Sequence, residues 1–149
     1  MKGGIVMPND AMLGMVSEML SEGHPVVMMT KGNSMLPFIV GDRDSVELFR
    51  ADSYGPYDIV LAEVAPGSYV LHRILMLEGS AVTLKGDGNL RGVEKCELSD
   101  IKGKVSRIIG PSGRETDCST VRFNRKSRRW RLAPYIVRRV MLAVYRRMI

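Results

Sequence analysis

Asp58-Ile59-Val60-Leu61-Ala62-Glu63-Val64 and Tyr69-Val70-Leu71-His72-Arg73-Ile74-Leu75 are the two longest strand-like runs in the chain, and Pro66-Gly67 stands between them. Runs of this length, rich in Val, Ile and Leu and bounded by Pro and Gly, read as strands closed by a turn. The same pattern extends in both directions. Upstream lie Pro25-Val26-Val27-Met28-Met29-Thr30 and the alternating Ser45-Val46-Glu47-Leu48-Phe49. Downstream lie Ala81-Val82-Thr83-Leu84 and Val105-Ser106-Arg107-Ile108-Ile109. Gly41-Asp42, Gly55-Pro56, Glu78-Gly79-Ser80, Gly86-Asp87-Gly88-Asn89 and Gly110-Pro111-Ser112-Gly113 mark the turns. Many short strands with no helix between them predict a mainly β fold, a compact β body with its core in residues 25–110. No internal repeat interrupts it.

Helices flank this body. In residues 10–22, Met12, Met15, Val16, Met19 and Leu20 recur at helical spacing, with Asn9 or Asp10 to cap the start and Gly23 to end it. The methionine stripe is expected to face the core. A single helix is too little for a helix-turn-helix, which argues against a DNA-binding head. The β domain with its N-terminal helix therefore spans residues 1–110, and residues 111–149 form a basic arm and helix. Residues 111–127 read as a linker or irregular arm. Beyond them Ala133, Ile136, Val137, Val140, Met141, Val144 and Met148 line one face of a C-terminal amphipathic helix whose first turn suits Pro134. Arg139, Arg146, Leu142 and Tyr135 fall on the opposite face, and Arg147 near the apolar stripe. Such a helix can pack on the body, on a second copy or on lipid.

The net charge of +6 hides a split. After Asp117 there are ten basic residues, Arg122 to Arg147, and no acidic one; the first 117 residues carry a net −4. A mildly acidic body with a basic tail points to an anionic partner, a membrane surface, nucleic acid or an acidic protein face, with nucleic acid the least expected. Trp130, inside the basic run, suits either a membrane interface or an anchor to the body. Residues 1–8 hold glycine and proline and no long apolar core, so they do not read as a signal peptide. No run reaches the length of a membrane span. Cys96 and Cys118 lack neighbours at metal-ligand spacing and read as reduced thiols in a cytoplasmic setting, with any membrane contact peripheral. Two histidines leave no metal motif, and no cofactor motif is present.

A candidate for chemistry is the stretch Gly32-Asn33-Ser34-Met35-Leu36-Pro37. A serine hydroxyl becomes a useful nucleophile only when a base takes its proton, and acyl transfer also needs donors for the oxyanion. Gly32 allows a tight, open turn around Ser34, and Pro37 stiffens the residues after it. By composition alone, a serine in such a loop is an ordinary turn residue.

Taken in order, the boxes say more. The serine box is succeeded by Gly41-Asp42, Tyr57-Asp58-Ile59-Val60-Leu61, Val70-Leu71-His72-Arg73-Ile74, Lys85-Gly86-Asp87-Gly88-Asn89 and Ile101-Lys102-Gly103-Lys104-Val105. This series resembles the superfamily of signal peptidase I and the LexA-type self-cleaving repressors over residues 25–110. The histidine at position 72, where other branches carry lysine, resembles the archaeal and endoplasmic-reticulum type. The resemblance implies Ser34 as nucleophile, His72 as general base, and Asp87 as a carboxylate that orients or charge-balances the histidine. Met35 and Pro37 are expected at the substrate pocket. Tyr57 stands where the family has glycine. The further aspartate of the reticulum type has no counterpart: Glu94 and Asp100 are the nearby acids, and neither is assigned its role. The family's transmembrane anchor has no match before the serine box. The expected activity is cleavage of one bond in a precursor or leader peptide through an acyl-enzyme. The alternatives are a peptide-binding module on the same fold without catalysis, and an anionic membrane or nucleic-acid binder acting through the tail.

Overall fold

The computed structural model describes residues 9–149. Its elements are α1 (Asn9–Ser21), β1 (Val26–Met29), β2 (Ser45–Phe49), β3 (Ile59–Ala65), β4 (Ser68–Glu78), β5 (Ala81–Lys85), β6 (Glu94–Glu97), β7 (Ile101–Ile109), β8 (Glu115–Asp117), α2 (Val121–Leu132) and α3 (Tyr135–Met148). A 3₁₀ turn, Leu98–Asp100, joins β6 to β7. Residues 1–8, expected not to be a signal peptide, lie outside the described residues.

The two longest apolar runs fold as the β3–β4 hairpin, with Ala65 opposite Ser68 across Pro66-Gly67. Gly67 takes φ +72°, the left-handed conformation that a Pro-Gly turn asks of its second residue. Glu63 closes the turn by accepting the Gly67 N–H at 2.8 Å. All strand pairs are antiparallel, in the order β1-β2-β7-β3-β4-β5-β6. β7 is the organising strand. One side pairs with β2; the other pairs with β3 near Ile101 and with β8 near Ile109.

The larger core lies between α1 and the sheet: Leu13, Val16 and Leu20 pack with Val46, Leu48, Ile59, Leu61 and Val105. Each such side chain, fully buried, contributes about 1.5–3 kcal/mol. The buried face of α1 differs from the expected methionine stripe. Leu13, Val16 and Leu20 are buried, whereas Met15 and Met19 are exposed. Leu13 and Leu20, seven residues apart, select the core side, and the methionines lie beside it. A second core joins Val60, Ala62, Ile74, Val82, Leu84 and Ile101.

Residues 111–127 are not irregular. They contain β8 and the first half of α2. Thr120 caps α2 by accepting the Phe123 N–H at 3.1 Å. Phe123, Ser127 and Trp130, at i, i+4 and i+7, form its buried side. Phe123 joins the main core, and a third cluster joins Leu36 and Val40 of the serine loop to Trp130 and Leu142 of the tail. The tail is thus packed on the body. α3 docks by Leu142, which is 1 % exposed, while the apolar stripe that includes Val140, 57 % exposed, faces solvent.

Candidate active site

Ser34 sits in the loop between β1 and β2, and polar contacts pin that loop at its base. Thr30 donates from Oγ1 to the Asp44 carbonyl at 2.8 Å, and its own carbonyl accepts the Asp42 N–H at 2.8 Å. The buried Asp44 carboxylate accepts the Val40 N–H at 2.8 Å and pairs with Arg43. Gly41 and Gly32 then approach backbone to backbone. A Cβ on Gly41 would fall 2.0 Å from the Gly32 carbonyl oxygen, so glycine is needed there. Asp42, expected to be a turn former, has φ +61°. The Leu36–Pro37 peptide is cis.

A second loop, between β5 and β6, closes on the first. The Gly88 N–H donates to the Ser34 carbonyl at 2.8 Å. A Cβ on Gly86 would lie 2.4 Å from that same carbonyl and 3.1 Å from Nε2 of His72. Ser34 and His72 therefore flank one point, and only a residue without a side chain fits between them. Ser34 and His72 also line one cleft of about 150 Å³. No hydrogen bond joins Ser34 Oγ to His72 in this structure. Catalytic hydrogen bonds are frequently long in unliganded sites and tighten in the Michaelis complex.

His72 and Arg73 are successive residues of β4, so they point to opposite faces of the sheet. Both are buried. His72 donates from Nδ1 to Oε1 of Glu94 at 2.5 Å. With a carboxylate on Nδ1, the neutral ring carries its proton there and leaves Nε2 as the acceptor toward Ser34. Glu94 reaches His72 from β6 across β5.

Asp87 stands elsewhere than the resemblance implied. Its two oxygens are held by Arg73, Nε to Oδ1 at 2.9 Å and Nη2 to Oδ2 at 2.7 Å. A buried guanidinium fork is matched by a carboxylate in this bidentate way, and it lies on the face of β4 away from the histidine. Arg73 Nη1 also donates to the Tyr57 carbonyl at 2.9 Å. The backbone of Asp87 is tied at both ends: its N–H to the Met35 sulfur at 3.4 Å, its carbonyl to Trp130 Nε1 at 2.8 Å. Asp87 thus knits the serine loop, β4 and α2 together, and the carboxylate on the histidine is Glu94.

Tyr57, standing where the resemblance has glycine, adopts φ +75°, a region glycine enters freely and a tyrosine does not. The Arg131 guanidinium stacks 3.7 Å from its ring centroid and holds it. Met35 lines the cleft, though it is buried in the core; Pro37 does not line it. Trp130 anchors the tail to the body. Cys96 and Cys118 are free thiols, and among the described residues no cluster of His, Cys, Asp or Glu could hold a metal ion.

The cleft has two strand edges that are bare among the described residues. β1 ends the sheet and pairs only with β2 among the described residues. Residues 69–72 of β4 pair with β3 on one side, and β5 begins alongside only at Arg73. Met28 and Met29 of β1 and Tyr69, Val70 and Leu71 of β4 line the cleft with Ser34 and His72. The N–H groups of Ser34 and Met35 take part in no hydrogen bond among the described residues.

No family model matches the chain, and no curated protein matches it.

Proposed function

We propose that the protein is a serine endopeptidase of signal-peptidase-like type, in which Ser34 attacks, His72 is the base and Glu94 orients the base. The single observation that carries this reading is the convergence of the Ser34 loop and His72 Nε2 on the space above Gly86, with a carboxylate on the far ring nitrogen. Nucleophile, base and orienter are the parts that acyl transfer by a serine requires.

The substrate is an extended peptide. It enters between the bare edges of β1 and β4 and is held by main-chain hydrogen bonds, as peptides that add a strand to a sheet are. The side chains of Met28, Met29 and Tyr69 make the walls apolar. Ser34 Oγ attacks the scissile carbonyl carbon, and its proton passes to His72 Nε2. The N–H groups of Ser34 and Met35 are the candidate donors to the oxyanion. His72 then protonates the leaving amine, and water releases the acyl group. Incubation of the purified protein with a library of extended peptides tests this. Hydrolysis is expected from the wild type and not from Ser34→Ala or His72→Ala; unchanged turnover by Ser34→Ala contradicts it.

One observation favours a second reading. Ser34 Oγ and His72 make no hydrogen bond, which fits a peptide-binding module that keeps the cleft and has lost catalysis. Peptide binding without hydrolysis by well-folded wild-type protein would select that reading.

A further inference from the structure

We propose that α2 and α3 form a docking surface for an anionic lipid bilayer, with α3 lying in the plane of the interface. Three observations carry this. First, α3 is amphipathic in the sense opposite to a core helix. Leu142 holds it to the body through Leu36, Val40 and Trp130, and the stripe of Ile136, Val137, Val140, Met141, Val144 and Met148 is exposed. A contiguous apolar face of this kind marks an interaction site.

Second, the segment that carries that face holds cations and no anions. Arg139, Arg146 and Arg147 of α3 and Arg122, Arg125, Lys126, Arg128 and Arg129 of α2 are exposed, and no acidic residue follows Asp117. Third, α3 is about 21 Å long at the usual rise per residue, too short to cross a bilayer. No helix among the described residues is long and apolar enough to span a membrane.

Charge decides between occupants. A second copy would bring two wholly basic tails face to face, and like charges oppose that pairing. Nucleic acid would neutralise α2 and leave the α3 stripe in water. An anionic bilayer satisfies both at once: acyl chains take the stripe, and lipid phosphates take the arginines. The proposal is independent of whether Ser34 is catalytic.

The test is co-sedimentation of the full chain with vesicles of phosphatidylglycerol and phosphatidylcholine in equal parts, and with phosphatidylcholine alone. Binding to the anionic vesicles is expected, with little to the neutral ones, and it should weaken as salt rises. The double variant Val140→Glu/Val144→Glu changes only exposed positions, so its melting temperature should stay near that of the wild type. Its vesicle affinity should fall by roughly tenfold or more. Arg128→Gln/Arg129→Gln should weaken binding to anionic vesicles and leave the residual affinity for neutral ones unchanged. No sedimentation with anionic vesicles at low salt overturns the proposal. So does equal binding by the well-folded Val140→Glu/Val144→Glu variant. A stable dimer that binds no vesicles assigns the face to a second copy, and nucleic-acid binding without vesicle binding assigns the charge elsewhere; either overturns it.

Discussion

Glu94 on β6 accepts a hydrogen bond from Nδ1 of His72 on β4, across the strand between them, at 2.5 Å. The pair fixes which ring nitrogen faces Ser34. In the proposed mechanism it also steadies the imidazolium formed when Ser34 gives up its proton. Glu94→Gln keeps the shape and removes the charge. Its kcat on a cleaved peptide should fall by about 10²- to 10⁴-fold, with KM little changed and the melting temperature close to wild type. Equal kcat in the two proteins would remove Glu94 from the mechanism.

Gly86 separates the Ser34 loop from His72. Gly86→Ala would place a methyl 2.4 Å from the Ser34 carbonyl and 3.1 Å from His72 Nε2. The backbone must shift, at a cost of about 1–3 kcal/mol, and the alignment of the pair is lost with it. Activity should therefore fall much further than stability. Gly55→Ala is the control, since nothing lies within 4 Å of its Cβ and its φ is not in the left-handed region. It should change stability by less than about 0.5 kcal/mol. Urea denaturation and peptide turnover, measured on both variants, check the contrast.

Arg73 and Asp87 form a buried ion pair, with side chains 3 % and 4 % exposed. Removing one partner strands the other. Asp87→Asn should destabilise the fold by about 3–5 kcal/mol in urea denaturation, because it leaves the guanidinium uncompensated. Arg73→Met/Asp87→Leu should recover much of that loss. If Asp87→Asn melts like the wild type yet abolishes turnover, Asp87 acts in the chemistry rather than in the scaffold.

Trp130 holds the second loop from behind by donating to the Asp87 carbonyl. Trp130→Phe leaves that buried oxygen without its partner, a loss of about 1–3 kcal/mol. Because Asp87 lies between Gly86 and Gly88, hydrogen exchange at those two amides should accelerate more than in β7. Uniform acceleration across the sheet would mean that the bond supports only global stability.

The thiols are set by burial. It pushes Cys118 up to about 12 and Cys96 up to about 11, from an ordinary value near 9. Thiolate is the reactive form, so iodoacetamide should modify the native protein slowly at neutral pH and the unfolded chain faster. The folded state holds protons that the unfolded chain gives up above about pH 9. Stability from these groups is thus fully present below that pH and lost as pH rises toward about 11–12. A melting temperature that rises over this range would contradict the partial burial of both thiols.

The strands are legible in the sequence because their side chains alternate or run apolar. β2 reads Ser45-Val46-Glu47-Leu48-Phe49, and Val46 and Leu48 are its buried residues. The polar strands β6 and β8 carry no such signal; they are held by pairing with β5 and β7 rather than by burial. α2 escapes the apolar pattern because arginine and lysine dominate it, although Thr120 and the spacing of Phe123, Ser127 and Trp130 are a usable signal. The α3 stripe has the register its periodicity implies, but a single leucine on the other face decides which side docks. Ser34 and His72 are marked by their boxes. Glu94 is not, because two strand reversals bring it to His72 from 22 residues away. Asp87 does not serve the histidine as expected, because neighbours along a sequence do not reveal which face of β4 each one serves.

Reaction with an activated fluorophosphonate tests the central claim most directly, because it reads the nucleophile without knowledge of the substrate. Mass spectrometry of the labelled wild type should place the adduct on Ser34. His72→Ala should label far more slowly while keeping its fold, and Ser34→Ala should carry no adduct. A well-folded wild-type protein that stays unlabelled at Ser34, or that labels equally fast without His72, would contradict the assignment of the pair.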